Sequence, residues 1–390
     1  MSCMTKKLHV IYGDLTLGLA GEGFHVLFSY TRGGIESITK EGREWIYRTP
    51  KPTFWRAMTD NDRGCGFQLR SGTWLSADMF LRTVETKVSV DGVEIKKPIG
   101  PENNRYTNEE YAECVSLTYI YETITVPATY VYVTYDVHAD GRIIVTAKYE
   151  GKKGLPQLPA FGLRFIMPTH ATGFTYEGLS GETYPDRKKG GKPGVYEVKG
   201  LPVTPYLVPQ ECGMHMDSKW LEVRRNTALS NVKDQPGETA LRFAMNDKPF
   251  AFSCLPYTSE ELENALHQEE LPPARRTVLC IFGEVRGVGG IDTWGSDVEP
   301  AYHISAEEDH EFSFVIELKY RTVIEIQNGI KKEGLLCGKP SLLYKGVRYY
   351  FPPSACAKGS STCFSSSSIR PSALSISRST SISLSRSIKR

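Results

Sequence analysis

The sequence predicts an all-β protein, and three observations carry that prediction. Runs rich in Val, Ile, Tyr, Phe and Thr recur along most of the chain, Gly, Asn, Asp and Pro fall between them, and helical periodicity appears in a single stretch. In order, the strand-like runs are LHVIY (8–12), FHVLFSY (24–30), VSLTYIYETITV (115–126), TYVYVTYDVH (129–138), RIIVTAKYE (142–150), FGLRFIM (161–167), ALRFAM (240–245), FAFSCL (250–255), TVLCIFGEV (277–285) and EFSFVIELKY (311–320). Within 129–138 the alternation places Val131, Val133 and Tyr135 on one face and Tyr130, Tyr132 and Thr134 on the other, the pattern of a half-buried antiparallel strand. The ADGR turn at 139–142 closes a hairpin to the next run. TSEELENALHQEEL (258–271) reads as the one helix, with Ser259 as its cap, acids in the first turn, and Leu262, Ala265 and Leu266 on one side. One helix among about fifteen strands excludes an α/β architecture.

At 390 residues the chain has room for one large β domain or two smaller ones. Its 47 Lys and Arg against 45 Asp and Glu leave a net charge of only +2, and no basic stripe interleaved with aromatics occurs in residues 1–350, which argues against nucleic acid as a partner. The nine cysteines (Cys3, Cys65, Cys114, Cys212, Cys254, Cys280, Cys337, Cys356 and Cys363) show no C-x-x-C or metal-ligand spacing, as expected of reduced thiols. The start MSCMTKKLHV lacks an apolar leader core, and no apolar run approaches the roughly 18–20 residues of a membrane span, so a soluble, cytoplasmic protein is expected. No Walker, dinucleotide, zincin or G-x-S-x-G motif is present. We assign residues 1–320 to the β domain and 321–353, with its strand-like LLYKGVRYYF, to an extension. From about Ser354 the Ser- and Arg-rich composition to residue 390 predicts a low-complexity, disordered tail.

Four stretches stand out as candidate sites. PTFWRAMTDNDRGCGF (52–67) brings Asp60, Asn61 and Asp62 together after Phe54, Trp55 and Arg56; the acids are too tightly spaced for an EF-hand, and an Asx-rich turn is expected. YEGLSGETYPDRKKGG (176–191) reads as a surface loop in which Glu182, Asp186 and Arg187 form an internal ion pair. TPYLVPQECG (204–213) is an extended loop in which Glu211 is a candidate for burial against a partner. VRGVGGIDTWGS (285–296) sets Trp294 among four glycines, either plugging a core or presenting its face to a flat ligand, with Asp292 and Asp297 beside it as hydroxyl acceptors.

Taken in this order, FWRAMTDNDRG (54–64), GLSGETYPDR (178–187), PYLVPQECG (205–213) and VGGIDTW (288–294) resemble the C-terminal region of bacterial lactose-hydrolysing β-galactosidases of glycoside hydrolase family 2. Their motifs there read approximately F-x-R-A-x-x-D-N-D-x-G, G-x-x-E-x-Y-P-D-R, P-Y-x-x-P-x-E-x-G and G-x-G-G-x-D-x-W. The resemblance spans about residues 8–320 and implies a large antiparallel β-supersandwich of the galactose-mutarotase type. In that family the catalytic glutamates lie on a (β/α)₈ barrel of roughly 200–250 residues, and a retaining glycosidase needs its carboxyls about 5 Å apart. No such alternation of strands and helices is present here, so the chain resembles the small subunit of a two-chain enzyme. The resemblance implies no catalytic residue in this chain and a β-galactosidase large subunit as partner. It further implies Trp294 as a wall of the galactoside pocket, with Tyr184 and the DND and YPDR residues scaffolding loops near the interface. Mg²⁺ and Na⁺ are expected to act on the complex rather than to bind this chain. Two other readings remain at this point: an aldose 1-epimerase, for which His170, His215 and His303 are the candidate acids, and a non-catalytic carbohydrate-binding or structural module.

Overall fold

Alternation of apolar and polar residues decides the architecture of the computed structural model, which describes residues 7–97, 106–227, 237–291 and 295–319, and the backbone of 341–344 and 347–350. Ten antiparallel strands form the central sheet in the order Pro193–Lys199, Gly173–Leu179, Trp220–Arg225, Thr239–Met245, His310–Glu317, Arg142–Tyr149, Tyr130–His138, Cys114–Glu122, Arg82–Val90 and Val93–Ile95. Register lines up one buried face across it. Tyr135 sits opposite Leu117 on one side and Val145 on the other, and Val145 sits opposite Phe314. All four are fully buried, while Tyr132 and Thr134 point the other way, as the period-two pattern requires.

Two smaller sheets cover that face. The six-stranded sheet runs Arg43–Glu44, Gly34–Lys40, Phe24–Ser29, Thr16–Gly21, Leu8–Tyr12 and Glu110–Ala112, and packs Phe28 on Tyr135 with ring centroids 5.6 Å apart. The five-stranded sheet runs Met214–Ser218, Phe250–Leu255, Arg276–Val285, Ala160–Pro168 and Arg48–Thr53, and sets Phe165 against Phe243 at 5.4 Å and Phe314 at 6.1 Å. Its other face carries a second core in which Tyr184, Met214, Val278 and Phe282 are buried. Cover on both faces explains why residues 278–282 are an unbroken apolar run rather than an alternating one.

Each of the ten sequence runs contains a strand, though the run from Val115 leaves the sheet after Glu122 and the run from Glu311 after Glu317. The structure adds several that composition hides: Thr16–Gly21 is rich in Gly, and Arg48–Thr53 holds two prolines, which it tolerates as the edge strand of its sheet. The expected helix is shorter and differently capped. It spans Ser259–Asn264, and Thr258, not Ser259, is the N-cap, in a capping box with Glu261. Ala265 turns extended, so Leu262 and Ala265 stay buried while Leu266 is thrown outward, contrary to the single apolar side expected. Among the described residues no helix is long and apolar enough to cross a membrane. The chain divides into two compact units, Met1–Thr322 and Val323–Arg390. In the second, Ser341–Tyr344 pairs antiparallel with Val347–Tyr350; the low-complexity stretch 354–390 lies outside the described residues.

Candidate functional site

The strand Arg276–Val285 runs directly into the glycine loop, and the first residue beyond it, Arg286, is wholly buried. Arg286 donates to Asp62 at 3.0 Å and to Asp297. Arg56, also buried, grips the same Asp62 with two bonds of 2.6 and 3.2 Å. Asp62 thus lies between two guanidiniums and accepts further bonds from the backbone and hydroxyl of Thr59, both at 2.9 Å. Burial opposes the charged carboxyl, but Arg56, the Thr59 backbone bond and Arg286 outweigh it and hold Asp62 below the usual carboxylate range.

The expected Asx turn at 60–62 is instead a short helix, Asp60–Gly64, closed by a Thr59–Asp62 capping box. Nor does this segment fit a cation, because the Asp62 carboxylate is already saturated by cationic donors. Among the described residues no three His, Cys, Asp or Glu side chains converge as metal ligands.

Every peptide group of 287–289 is held by a side chain or by backbone. Arg56 donates to the Gly287 carbonyl at 2.7 Å, Asn61 to the Val288 carbonyl at 3.0 Å, and Arg187 to the Gly289 carbonyl. The Gly287 N–H donates to the Tyr302 carbonyl at 3.2 Å. Asp186 accepts from the Val288 N–H at 3.0 Å and the Gly289 N–H at 2.8 Å. Asp186 and Arg187 therefore serve the glycine loop, and among the described residues no ion pair joins Glu182, Asp186 and Arg187 to one another. Glycine is required at two points of this grip. A Cβ on Gly287 would lie 2.6 Å from Val298 and 2.9 Å from the Asp186 carboxyl carbon, and Gly290, at φ +75°, would place one 2.4 Å from the Asn61 amide.

The third motif buttresses the first. Gln210 accepts from the Asp60 N–H at 3.1 Å and donates to its carboxylate at 3.3 Å; Asp60 itself is largely exposed. Glu211 is buried, as expected, with the Tyr184 hydroxyl 3.5 Å away; that hydroxyl also donates to Glu182 at 3.1 Å. Burial pushes the Glu211 carboxyl up to about 8; Arg56 pulls against this, and Glu182 and Asp62 add to it. Asp297 is already committed to Arg286, to Arg70 at 2.7 Å and to the Val298 N–H at 2.8 Å, so it does not serve as a free hydroxyl acceptor. Asp292 and Trp294 lie outside the described residues.

Beside the loop, Asp186, Gly289, Ile291, Val298 and Tyr302 line a hollow of about 70 Å³, far below the roughly 300–1,000 Å³ of a complete ligand pocket. A larger hollow of about 440 Å³ lies elsewhere, lined by Gln157, Glu284, His303 and His310 among others. The three candidate epimerase histidines do not form a shared site. His215 is buried against Phe252, and burial drives its pKa down to about 4. His303 has one ring nitrogen on Gln157 and the other on the Val298 carbonyl, and His170 bonds the Ala171 carbonyl.

Comparison with known families bears directly on these motifs: the family model described as "Beta galactosidase small chain" matches residues 20–316. The chain belongs to the β-galactosidase small-chain family. A β-galactosidase small subunit from Latilactobacillus sakei is 60% identical over 81% of this chain and 99% of its own length. β-Galactosidases from Streptococcus thermophilus (33% identical) and Bifidobacterium adolescentis (35% identical) align with 80% of this chain, which spans only 28% and 27% of their respective lengths. A galactose 1-epimerase structure from Lactobacillus acidophilus aligns with 80% of the chain and 98% of its own at 9% identity, with a TM-score of 0.33.

Within this small chain, motif reading found Arg56, Asn61, Asp62, Asp186 and Arg187 but missed Arg286, Thr59 and Gln210. Arg286 is separated from Asp62 by 224 positions; its only local signal is a cation placed directly between a buried strand and a glycine loop.

Proposed function

We propose that this chain is the small subunit of a two-chain β-galactosidase hydrolysing terminal β-galactosides such as lactose, completing the substrate pocket while a large subunit bearing a (β/α)₈ barrel supplies the catalytic glutamates. One observation carries this reading. Two motif segments, far apart in sequence, spend Arg56, Asn61, Asp186 and Arg187 on the peptide groups of 287–289, and the hollow beside that loop is too small to enclose a sugar. An element held this rigidly and this incompletely enclosed is one wall of a pocket whose remainder belongs to another chain.

In this reading Trp294 stacks on the apolar C–H face of the galactosyl ring and Asp292 accepts from a hydroxyl. Both follow directly on the clamped loop, whose rigidity limits the entropy lost on binding. Arg56, Asn61, Asp62, Asp186 and Arg187 position the loop and touch no substrate. Glu182 and Glu211 do approach each other across the Tyr184 hydroxyl, but Glu211 is buried away from any glycosidic oxygen, so this pair does not act as the acid and nucleophile. Mg²⁺ and Na⁺ are assigned to the complex through the large chain, and the cytoplasm is its proposed location.

The test is hydrolysis of a chromogenic β-galactoside by the 390-residue chain, alone and mixed with the large subunit. Activity confined to the mixture is expected. Activity of the chain alone overturns the proposal. In the mixture, Trp294→Ala should raise KM at least severalfold with the fold intact; unchanged kinetics with lowered stability would mean that the indole only fills a core.

A further inference from the structure

Large apolar side chains cluster at the segments that build the clamp. Leu69, Met79, Phe80, Leu207, Leu266 and Ile291 are between 58% and 88% exposed. Side-chain bonds knit their segments together. Arg70, next to Leu69, reaches Asp297 of the glycine loop. Asp78, next to Met79, and Glu260 of the helix preceding Leu266 share Arg164. Glu263 of that helix accepts from the Met58 N–H at 2.7 Å, and Gln268 donates to the carbonyl of Tyr206, next to Leu207. The six therefore belong to one continuous end of the domain, rimmed by Asp60, Arg63 and Arg70. Exposed apolar clusters with a polar rim mark interaction surfaces on soluble proteins.

The relatives say what covers it. Essentially the same stretch is a separate chain in one relative, matched over 99% of its length, and only 27–28% of the polypeptide in others. The remaining sequence of the longer relatives must pack against some face of this module. The face that carries the half-built hollow also carries these six exposed apolar side chains, whereas Leu15, Tyr47, Val93 and Val126 stand exposed on other segments.

We infer that the surface formed by Leu69, Met79, Phe80, Leu207, Leu266 and Ile291 is the docking seam for the large subunit, continuous with the glycine loop, so that docking and closure of the pocket are one event. This rests on the two-chain reading above. The seam accounts for Leu266 turning outward at the helix end, and for Leu207 standing exposed four residues before the buried Glu211.

The test measures association of the full-length chain with the large subunit by titration, together with galactosidase activity at limiting small chain. Phe80→Glu and Leu207→Glu should each weaken association about thirtyfold or more, as expected for charge placed at an interface anchor. Activity should return when the small chain is raised in proportion. Both side chains are exposed in the free chain, so thermal unfolding of the isolated variants should match wild type. Val93→Glu, on the edge hairpin of the ten-stranded sheet, should bind as wild type does. If both variants bind with wild-type affinity, the seam is wrong and the two-chain reading stands. If the wild-type chain does not bind the large subunit at all, the two-chain reading falls and the seam with it. Loss of self-association alone in Phe80→Glu would give the face to a second copy and overturn the assignment.

Discussion

Replacing Asp62 with Asn tests the clamp at its centre. The Asp62 side chain is fully buried and accepts two bonds from Arg56, one from Arg286 and two from Thr59. Asn preserves the shape but removes the charge and turns an N–H₂ group toward guanidinium donors. Arg286 keeps Asp297, which is partly exposed. Arg56 has no comparable reserve, since the other carboxyl that acts on it, Glu211, is pushed by burial up to about 8. Breaking a buried pair by removing one partner costs about 3–5 kcal/mol, a large share of the 5–15 kcal/mol typical of a domain. Urea unfolding of the isolated chain at pH 7 measures it. A second effect follows from the same geometry. With Asp62 neutral, Arg56 draws the Glu211 carboxyl into its charged form, so Asp62→Asn combined with Glu211→Gln should be worse than the sum of the singles by about 1 kcal/mol or more. A loss under about 1 kcal/mol for Asp62→Asn, or strict additivity of the pair, would refute the view of Asp62 as the shared counterion.

Glu211→Gln should also change the pH profile. Its carboxyl is raised from 4.5 to about 8 in the folded chain, so its contribution is fully present below about pH 4.5 and is lost as pH rises through about 8. The ceiling on that loss is about 5 kcal/mol, and the variant should gain on wild type across this window in unfolding melts; parallel curves would rule it out. Asp62 has the opposite sign: its pKa lies below 3.8, so its contribution holds above that value and is lost as pH falls further. Gly290→Ala forces a φ of +75° on a side chain and drives its Cβ into the Asn61 amide at 2.4 Å, whereas Gly23→Ala, at φ +77°, meets open space. The first should cost about 1–3 kcal/mol more than the second and raise KM of the two-chain enzyme, and equal effects at the two sites would show that the Asn61 contact is dispensable.

The fold was legible wherever burial was one-sided. Val131, Val133 and Tyr135 announced their face through alternation, and the ADGR hairpin followed from turn chemistry. Trp220–Arg225 was not legible: Glu222, Arg224 and Arg225 make it look like a surface loop, yet all three are buried. Arg224 lies against Thr175 and Glu197, Arg242 approaches Glu222, and Arg225 reaches the Glu44 carbonyl. The site was half legible. Its motifs were visible as clusters of acids, glycines and an arginine, but the YPDR segment read as pairing with itself when its partners are backbone groups about a hundred residues away.

By itself the sequence determined that the chain is built of antiparallel strands, which residues face the core, and which four segments carry unusual chemistry, because each of these is written in neighbours along the chain. Only the tertiary structure decided what those segments do to one another. Arg56, Asp62 and Arg286 share one buried charge balance, and Asp186, Arg187 and Asn61 hold a single loop. Those contacts join residues up to 231 positions apart, and no local periodicity encodes them; they exist only because sheet register and packing bring three loops to one end of the domain.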